Sequence, residues 1–196
     1  VAKRYGTPRR TVLLADSGVV ASTATPLEIP DAPCWVMLSS AGLVARLDSA
    51  DEPPPPTAGP RSRHDAVVGA IRTTTHAEYG VLTSTGQLIK MKVIELPSVP
   101  QTAISPSLQG GSRIGELISL GKDERVLGLT SFAEDSPGLA VGTRSGVVKR
   151  VIPQLLTSKD SWDFIGLAPG DEVVAAFELR SEDDELVFIT SDAQLL

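Results

Sequence analysis

The sequence predicts an all-β chain built from repeated blade-like units, and three observations carry that expectation. Apolar runs of strand length alternate with short polar turns closed by a small residue, four times over. Glycine and proline, 17 and 15 of the 196 residues, are spread along the chain, as many turns and short strands require. The four turn positions, Gly42, Gly86, Gly146 and Ala193, stand 44, 60 and 47 residues apart, the spacing of a propeller-like blade with variable insertions.

The elements follow in order. Val1 to Thr11, "VAKRYGTPRRT", reads as the end of a helix: Gly6 suits a helix C-terminus and Pro8 blocks continuation. Residues 12–32 are irregular, with Pro26 and Pro30 as breakers. "CWVMLSSAGLVARL" (34–47) is a hairpin, and the charged, proline-rich stretch 48–65, with its proline-rich loop at 52–65, is a solvated polyproline II linker. "AVVGAI" (66–71), "RVLGLT" (125–130) and "EVVAAF" (172–177) are strands that lead into the next hairpins, the last two introduced by the turns "LGKDERV" and "LAPGDEVV". The hairpins themselves are "GVLTSTGQLIKM", "LAVGTRSGVVKRV" and "LVFITSDAQLL", each with Ser or Thr opening its turn (Thr83, Thr143, Thr190, as Ser39 does in the first). "PQLLTSKDSW" (153–162) holds at most one helical turn. Each unit thus reads strand, loop, strand, turn, strand, and such a unit buries its faces only by stacking on neighbours.

Strand alternation sorts the residues after each turn. First, third and fifth positions after the glycine (Leu43, Ala45, Leu47; Gln87, Ile89, Met91; Val147, Lys149, Val151) form a mostly apolar face read as the core side. The fourth position is Arg46, Lys90 or Arg150, a cation in three copies, read as facing outward. Lys149 breaks the inward row and has to reach the rim by its long stem.

Composition limits the function classes. The net charge of −6 argues against indiscriminate polyanion binding, but it is uneven: residues 1–114 carry 11 Lys/Arg against 9 Asp/Glu, and residues 115–196 carry 7 against 15. No run of about twenty apolar residues suits a membrane span, and no signal-peptide pattern is present. The start at Val1 and the stop inside an apolar run suggest a longer parent chain. Cys34, the one cysteine, reads as a buried structural thiol in a reducing cytosol. No phosphate loop of the GxxxxGK[ST] kind occurs, "GGSRIG" (110–115) has the wrong spacing for a dinucleotide fingerprint, and His64 and His76 lack metal-ligand companions. The acidic run "SEDDE" (181–185) reads as a solvated hairpin loop. Nothing in the chain looks catalytic.

With the repeat in view, the chain resembles the C-terminal domain of the A subunit of bacterial type IIA topoisomerases, gyrase and topoisomerase IV. "YGTPRRT" (5–11) is similar to the junction with the breakage-reunion region, "GVLTSTGQLIKMKVIELP" (80–97) to the second blade, "GLAVGTRSGVVKRV" (138–151) to the third and residues 167–196 to the fourth. The resemblance implies residues 1–11 as the end of a preceding helix and residues 12–196 as about four blades of a β-pinwheel, whose neighbouring blades exchange strands. It further implies a basic outer rim that bends duplex DNA and presents a segment for passage. It places the cleavage chemistry, ATP and Mg2+ in other domains. The implied partner is the topoisomerase B subunit, in an A2B2 enzyme of the cytoplasm and nucleoid, away from membranes. Phosphate contacts would come from Arg46, Arg61, Arg63, Arg72, Lys90, Lys92, Lys149 and Arg150, with Arg150 ahead of Lys149 because its position repeats. The gyrase glycine- and arginine-rich box is missing from 52–68, which keeps only Arg61 and Arg63 among prolines. That departure argues against chiral wrapping and towards a topoisomerase IV-like enzyme. The rival class is a propeller-like protein-interaction module, favoured by the acidic second half and the scarce aromatics.

Overall fold

The computed structural model describes residues 29–51, 66–100, 107–156, 158–189 and 191–192. The expected helix end at 1–11, the loop at 52–65 with Arg61 and Arg63, and Thr190 and residues 193–196 of the last hairpin lie outside these.

The first hairpin is β1 (Pro33–Ser39) and β2 (Leu43–Leu47). The second unit supplies β3 (Val67–Thr74), β4 (Glu78–Thr83) and β5 (Gln87–Lys92), followed by the short β6 (Ser98–Val99) and β7 (Ser112–Arg113) and a single-turn helix, α1 (Ile114–Leu117). The third supplies β8 (Val126–Ser131), β9 (Leu139–Thr143) and β10 (Val148–Val151), then β11 (Ser161–Asp163). The fourth begins with β12 (Val173–Glu178). So the loop expected at 110–115 holds β7 and the start of α1, and the helical turn allowed for 153–162 gives way to β11. The fourth hairpin is only sketched: 186–189 is not a continuous strand, and Val187 and Ile189 are 67% and 74% exposed.

The turn chemistry explains the Ser/Thr and glycine of the repeat. Gly42, Gly86 and Gly146 adopt φ of 76°, 80° and 84°, a region in which a Cβ is strained. Their amides donate to the carbonyls of Ser39, Thr83 and Thr143, while the side-chain oxygens of Ser39 and Thr143 accept from Leu43 N and Val147 N.

Three sheets result, and none coincides with one sequence unit. Their strand orders are β3-β1-β2-β6, with β7 also on β2; β8-β4-β5-β11; and β12-β9-β10. Each hairpin therefore takes as its neighbour the lead strand of the unit after it, antiparallel in every case. A two-stranded hairpin is marginal alone, and the borrowed strand makes a sheet with a face wide enough to bury. The joint recurs three times: Ser40 N to Ala66 O at 2.7 Å, Ser84 N to Arg125 O at 2.9 Å and Arg144 N to Glu172 O at 2.9 Å. The Ser40 and Ser84 hydroxyls each accept the returning amide of Ala66 or Arg125, at 3.0 Å.

The lead strands are also where sheets meet, since β8 packs on both β3 and β12. One core fills the gap between the first and second sheets, with Cys34, Val36, Leu38, Val44, Tyr79, Val81 and Leu129. A second, with Leu82, Leu88, Leu139, Val141 and Val173, lies between the second and third. A third backs the first sheet with Met37, Ala45, Leu47, Val99 and Leu108. The chain is thus nearly all-β, as expected, with strands exchanged between neighbouring blades.

Close approach of β8 and β12 depends on Gly128, where a Cβ would stand 2.4 Å from the Ala176 carbonyl oxygen. Gly128→Ala is therefore expected to lower stability by about 1–3 kcal/mol in urea unfolding, through backbone displacement at a packed seam. Gly115→Ala, whose Cβ meets nothing within 4 Å, should leave the midpoint unchanged or raise it.

Candidate nucleic-acid interface

The side of each sheet away from the lead strand is its outer edge, formed by β2 with β6 and β7, by β5 with β11, and by β10. Most of the cations singled out in the sequence sit there, but not as the alternation suggested.

Arg46 does not face outward. It is 6% exposed, because Val44, two residues before it on the same face, already belongs to the core between sheets. Its Nε donates to Asp48 Oδ1 at 2.6 Å, Ser98 Oγ donates to Asp48 Oδ2 at 2.7 Å, and Nη1 has no hydrogen-bond partner among the described residues. Burial pushes the Asp48 carboxyl up, yet the hydrogen bonds from Arg46 and Ser98 outweigh that and hold it below the usual carboxylate range. Lys90 shares the arrangement: Leu88 on its face is in the second core, its side chain is 10% exposed, and Nζ lies 3.6 Å from Glu78 Oε1 and 3.5 Å from the Leu156 carbonyl. The parity count is corrected accordingly: the fourth position continues a core face and is covered at the sheet edge. The first, third and fifth positions form a continuous inward row only in the first hairpin; Gln87, Val147 and Lys149 are exposed, whereas Ile89, Met91 and Val151 pack partly buried against the cores.

Arg150 is exposed but engaged, donating from Nε to the Pro137 carbonyl at 2.7 Å and pairing with Glu182 at 3.3 Å. Lys149 is exposed and makes no ion pair among the described residues, which reverses the solvation order expected of these neighbours. Lys92 on β5 and Arg72 on β3 are likewise exposed without an ion pair among the described residues. Arg72, however, lies on a lead strand, opposite Trp35, and not on an outer edge.

Two further cations were passed over in the sequence. Arg113 is exposed on β7, beside Leu43 at the outer edge of the first sheet, and Lys159 is exposed just before β11. Their strands are two and three residues long, too short to show a period; the recurrence of a strand after each hairpin was the signal available. By contrast, Arg125 and Arg144 are both drawn to Glu172 and share its single carboxylate. A cleft of about 350 Å³ beside β5 is lined by Glu78, Lys90, Met91, Lys92, Glu95 and Asp160, a mixed-charge surface in which Lys92 is the solvated cation.

The remaining reactive groups are structural. Burial pushes the Cys34 thiol up to about 11, the nearby Arg46 charge offsetting only part of it, so the thiol stays protonated and inert. Tyr79 is fully buried in the first core, which pushes its phenol well above the ordinary value. His76 Nε2 meets the Ile29 carbonyl at 2.7 Å, whereas His64 lies outside the described residues. The acidic run closes a turn, Asp184 accepting from Arg180 N and Ser181 N. Among the described residues no group of three or more His, Cys, Asp or Glu side chains is placed to hold a metal, and no helix is long and apolar enough to cross a membrane. What the outer edge offers is solvated cations suited to phosphate oxygens.

No protein-family model matches the chain. It is similar to the A subunit of DNA gyrase from Mycolicibacterium smegmatis, 31% identical over 126 residues, which is 62% of this chain and 14% of that protein. The gyrase A subunit of Lawsonia intracellularis is 27% identical over 197 residues, covering 93% of this chain and 23% of the relative. The chain thus spans less than a quarter of the length of these curated relatives. Among solved structures, the E. coli ParC C-terminal domain superposes with a TM-score of 0.51 at 18% identity, over 84% of this chain and 63% of the other, and shares the fold.

The Arg46–Asp48 pair carries a pH signature. Because the folded Asp48 carboxyl is held below its ordinary value of 3.8, its contribution to stability is present above that value and is lost as pH falls through the lower, folded one. The stability difference between the wild-type chain and Asp48→Asn, read from urea midpoints, should therefore be largest near neutral pH and shrink as pH drops below about 4. A difference independent of pH would show that the carboxylate charge is not what holds Arg46.

Proposed function

We propose that this chain, which belongs with the C-terminal domains of type IIA topoisomerase A subunits, binds duplex DNA along the outer edges of its sheets and bends it. The observation that carries the reading is that each sheet places on its outer strands an exposed cation without an ion pair among the described residues: Arg113 on the first, Lys92 on the second and Lys149 on the third. Part of the acidic excess is taken up in turns and joints, where Glu124, Asp171, Glu172 and Glu178 are all committed to hydrogen bonds within the fold, while Glu78, Glu95 and Asp160 stand beside Lys92.

Cations on three separate sheets meet one duplex only if it follows the rim, so the contact is with phosphates and the DNA curves. Base edges need not be read. Arg61 and Arg63, outside the described residues, add two cations to the sequence between the first and second units. Since that loop lacks a glycine- and arginine-rich box, the domain bends its DNA without strong chiral wrapping and serves a topoisomerase IV-like enzyme. Its task is to present a DNA segment for passage in the cytoplasm, as part of an A2B2 assembly. The ATP- and Mg2+-dependent steps fall to the B subunit together with the other domains of the A subunit.

The test is duplex binding as a function of salt. Lys92→Ala combined with Lys149→Ala should weaken affinity and reduce the slope of log K against log salt by about 0.9 for each phosphate no longer neutralised. Duplex binding undetectable at low salt, with a protein partner captured by the same rim, would replace this reading with an interaction module.

A further inference from the structure

The cation at the fourth position after each turn glycine is balanced by one carboxylate: Asp48 for Arg46, Glu78 for Lys90 and Glu182 for Arg150. Each pair is neutral, so what a sheet offers to a polyanion is set by the charges around it. In the second sheet those charges do not favour a phosphate. The cleft of about 350 Å³ beside β5 brings Lys90 and Lys92 together with Glu78, Glu95 and Asp160, so its carboxylates outnumber its cations. Lys90 is engaged with Glu78 at 3.6 Å, and the solvated Lys92 shares the cleft with Glu95 and Asp160.

Backbone contacts hold both carboxylates at that place. Glu95 ends a single 3₁₀ turn, Val93–Glu95, that follows β5 directly. The turn is pinned by Val93 N, which donates to the Ala77 carbonyl at 3.0 Å, and by burial of Val93 and Leu96; Ile94 and Glu95 are left exposed. Asp160 is exposed just before β11, and its carbonyl accepts the Lys90 amide at 2.8 Å, two residues from Lys92. The Glu95 charge is felt by its surroundings: after burial, it is the second cause that pushes the Tyr79 phenol up.

A carboxylate fixed beside a solvated lysine acts on whatever charge the lysine attracts. Charges in solvent influence one another over a Debye length, about 30 Å at 0.01 M salt and about 10 Å at 0.1 M. A phosphate paired with Lys92 is within that reach of Glu95 and Asp160. At separations of about 8 Å in a water-like dielectric, the two repulsions together lower affinity about fourfold at 0.01 M salt and about twofold at 0.1 M.

Resting on the DNA-binding reading above, we propose that Glu95 and Asp160 are negative determinants of duplex affinity, which oppose phosphate at Lys92 and keep the second sheet's contact with DNA weak. The second sheet lies between the other two, with a shared core on either side. A weak contact in that place follows a duplex already held at Arg113 and Lys149 without anchoring it, and lets the middle of the bound segment leave first. The two acidic side chains thus set how firmly the domain grips its DNA, and Lys92 sets where.

Fluorescence anisotropy with the 196-residue chain and a labelled linear duplex of mixed sequence tests it. Glu95→Gln combined with Asp160→Asn should bind about fourfold tighter than wild type at 0.01 M salt and about twofold tighter at 0.1 M. Either amide alone should give part of that gain, so a folding defect in the double variant does not hide the effect. Asp51→Asn with Asp123→Asn makes the same change in net charge at exposed positions outside the cleft and should gain less. In a Lys92→Ala chain the gain from the cleft substitutions should fall to that control level, because the phosphate they repel is no longer held there. Cleft variants that gain no more than the control, or that keep their full gain without Lys92, overturn the proposal and leave DNA binding standing. A wild-type chain that binds no duplex even at low salt overturns the functional reading and this proposal with it.

Discussion

Everything in this fold depends on one exchange between neighbours: a hairpin completes its sheet with the first strand of the following unit. Two strands cannot hide both of their faces, and the amphipathic lead strands have no hairpin of their own to pair with on that side. Pairing β3 with β1, β8 with β4 and β12 with β9 satisfies both. The joint is made by backbone bonds at Ser40, Ser84 and Arg144, so it tolerates sequence drift while fixing the register of the sheets. Because the lead strands are also the surfaces where sheets meet, the cores form between units and not within them.

This arrangement decides which charges are available to a partner. The cation at the fourth position after the turn lies where a core face runs out at the sheet's edge, and the closing segment crosses it there. Arg46 and Lys90 are consequently paired inside the fold, with Asp48 and Glu78. The solvated cations are Lys92 at the end of β5, Arg113 on the closing strand β7 and Lys149 within β10. A rim of this construction offers few solvated charges per sheet, set apart by the width of a blade, which suits a long curved polyanion better than a compact one.

The repeat, the turn glycines and their Ser/Thr partners were legible in the sequence because they are local: one backbone geometry at Gly42, Gly86 and Gly146 imposes one residue type. The lead strands were legible too, as apolar runs introduced by matching turns. Parity was misread because Arg46 has core neighbours on both faces of β2: the first sheet is backed by Met37, Ala45, Leu47, Val99 and Leu108 as well as facing the second. That second layer comes from residues about 50 or more positions away from β2 and leaves no period in the strand. The closing strands escaped for the same reason, being too short to announce themselves.

The strand exchange has a consequence for how such a chain changes over evolutionary time. The stretch that duplicates in the gene and the sheet that folds in the protein are out of phase, by a lead strand at one side and a closing strand at the other. A recombination that replaces residues 120–160 as one repeat would alter strands in two sheets at once and the seam at Gly128 and Ala176 between them. Units of this kind are inherited in tandem but selected in overlapping pairs, so even the stretches that join β5 to β8 and β10 to β12 are held by the closing strands β6, β7 and β11 that they carry.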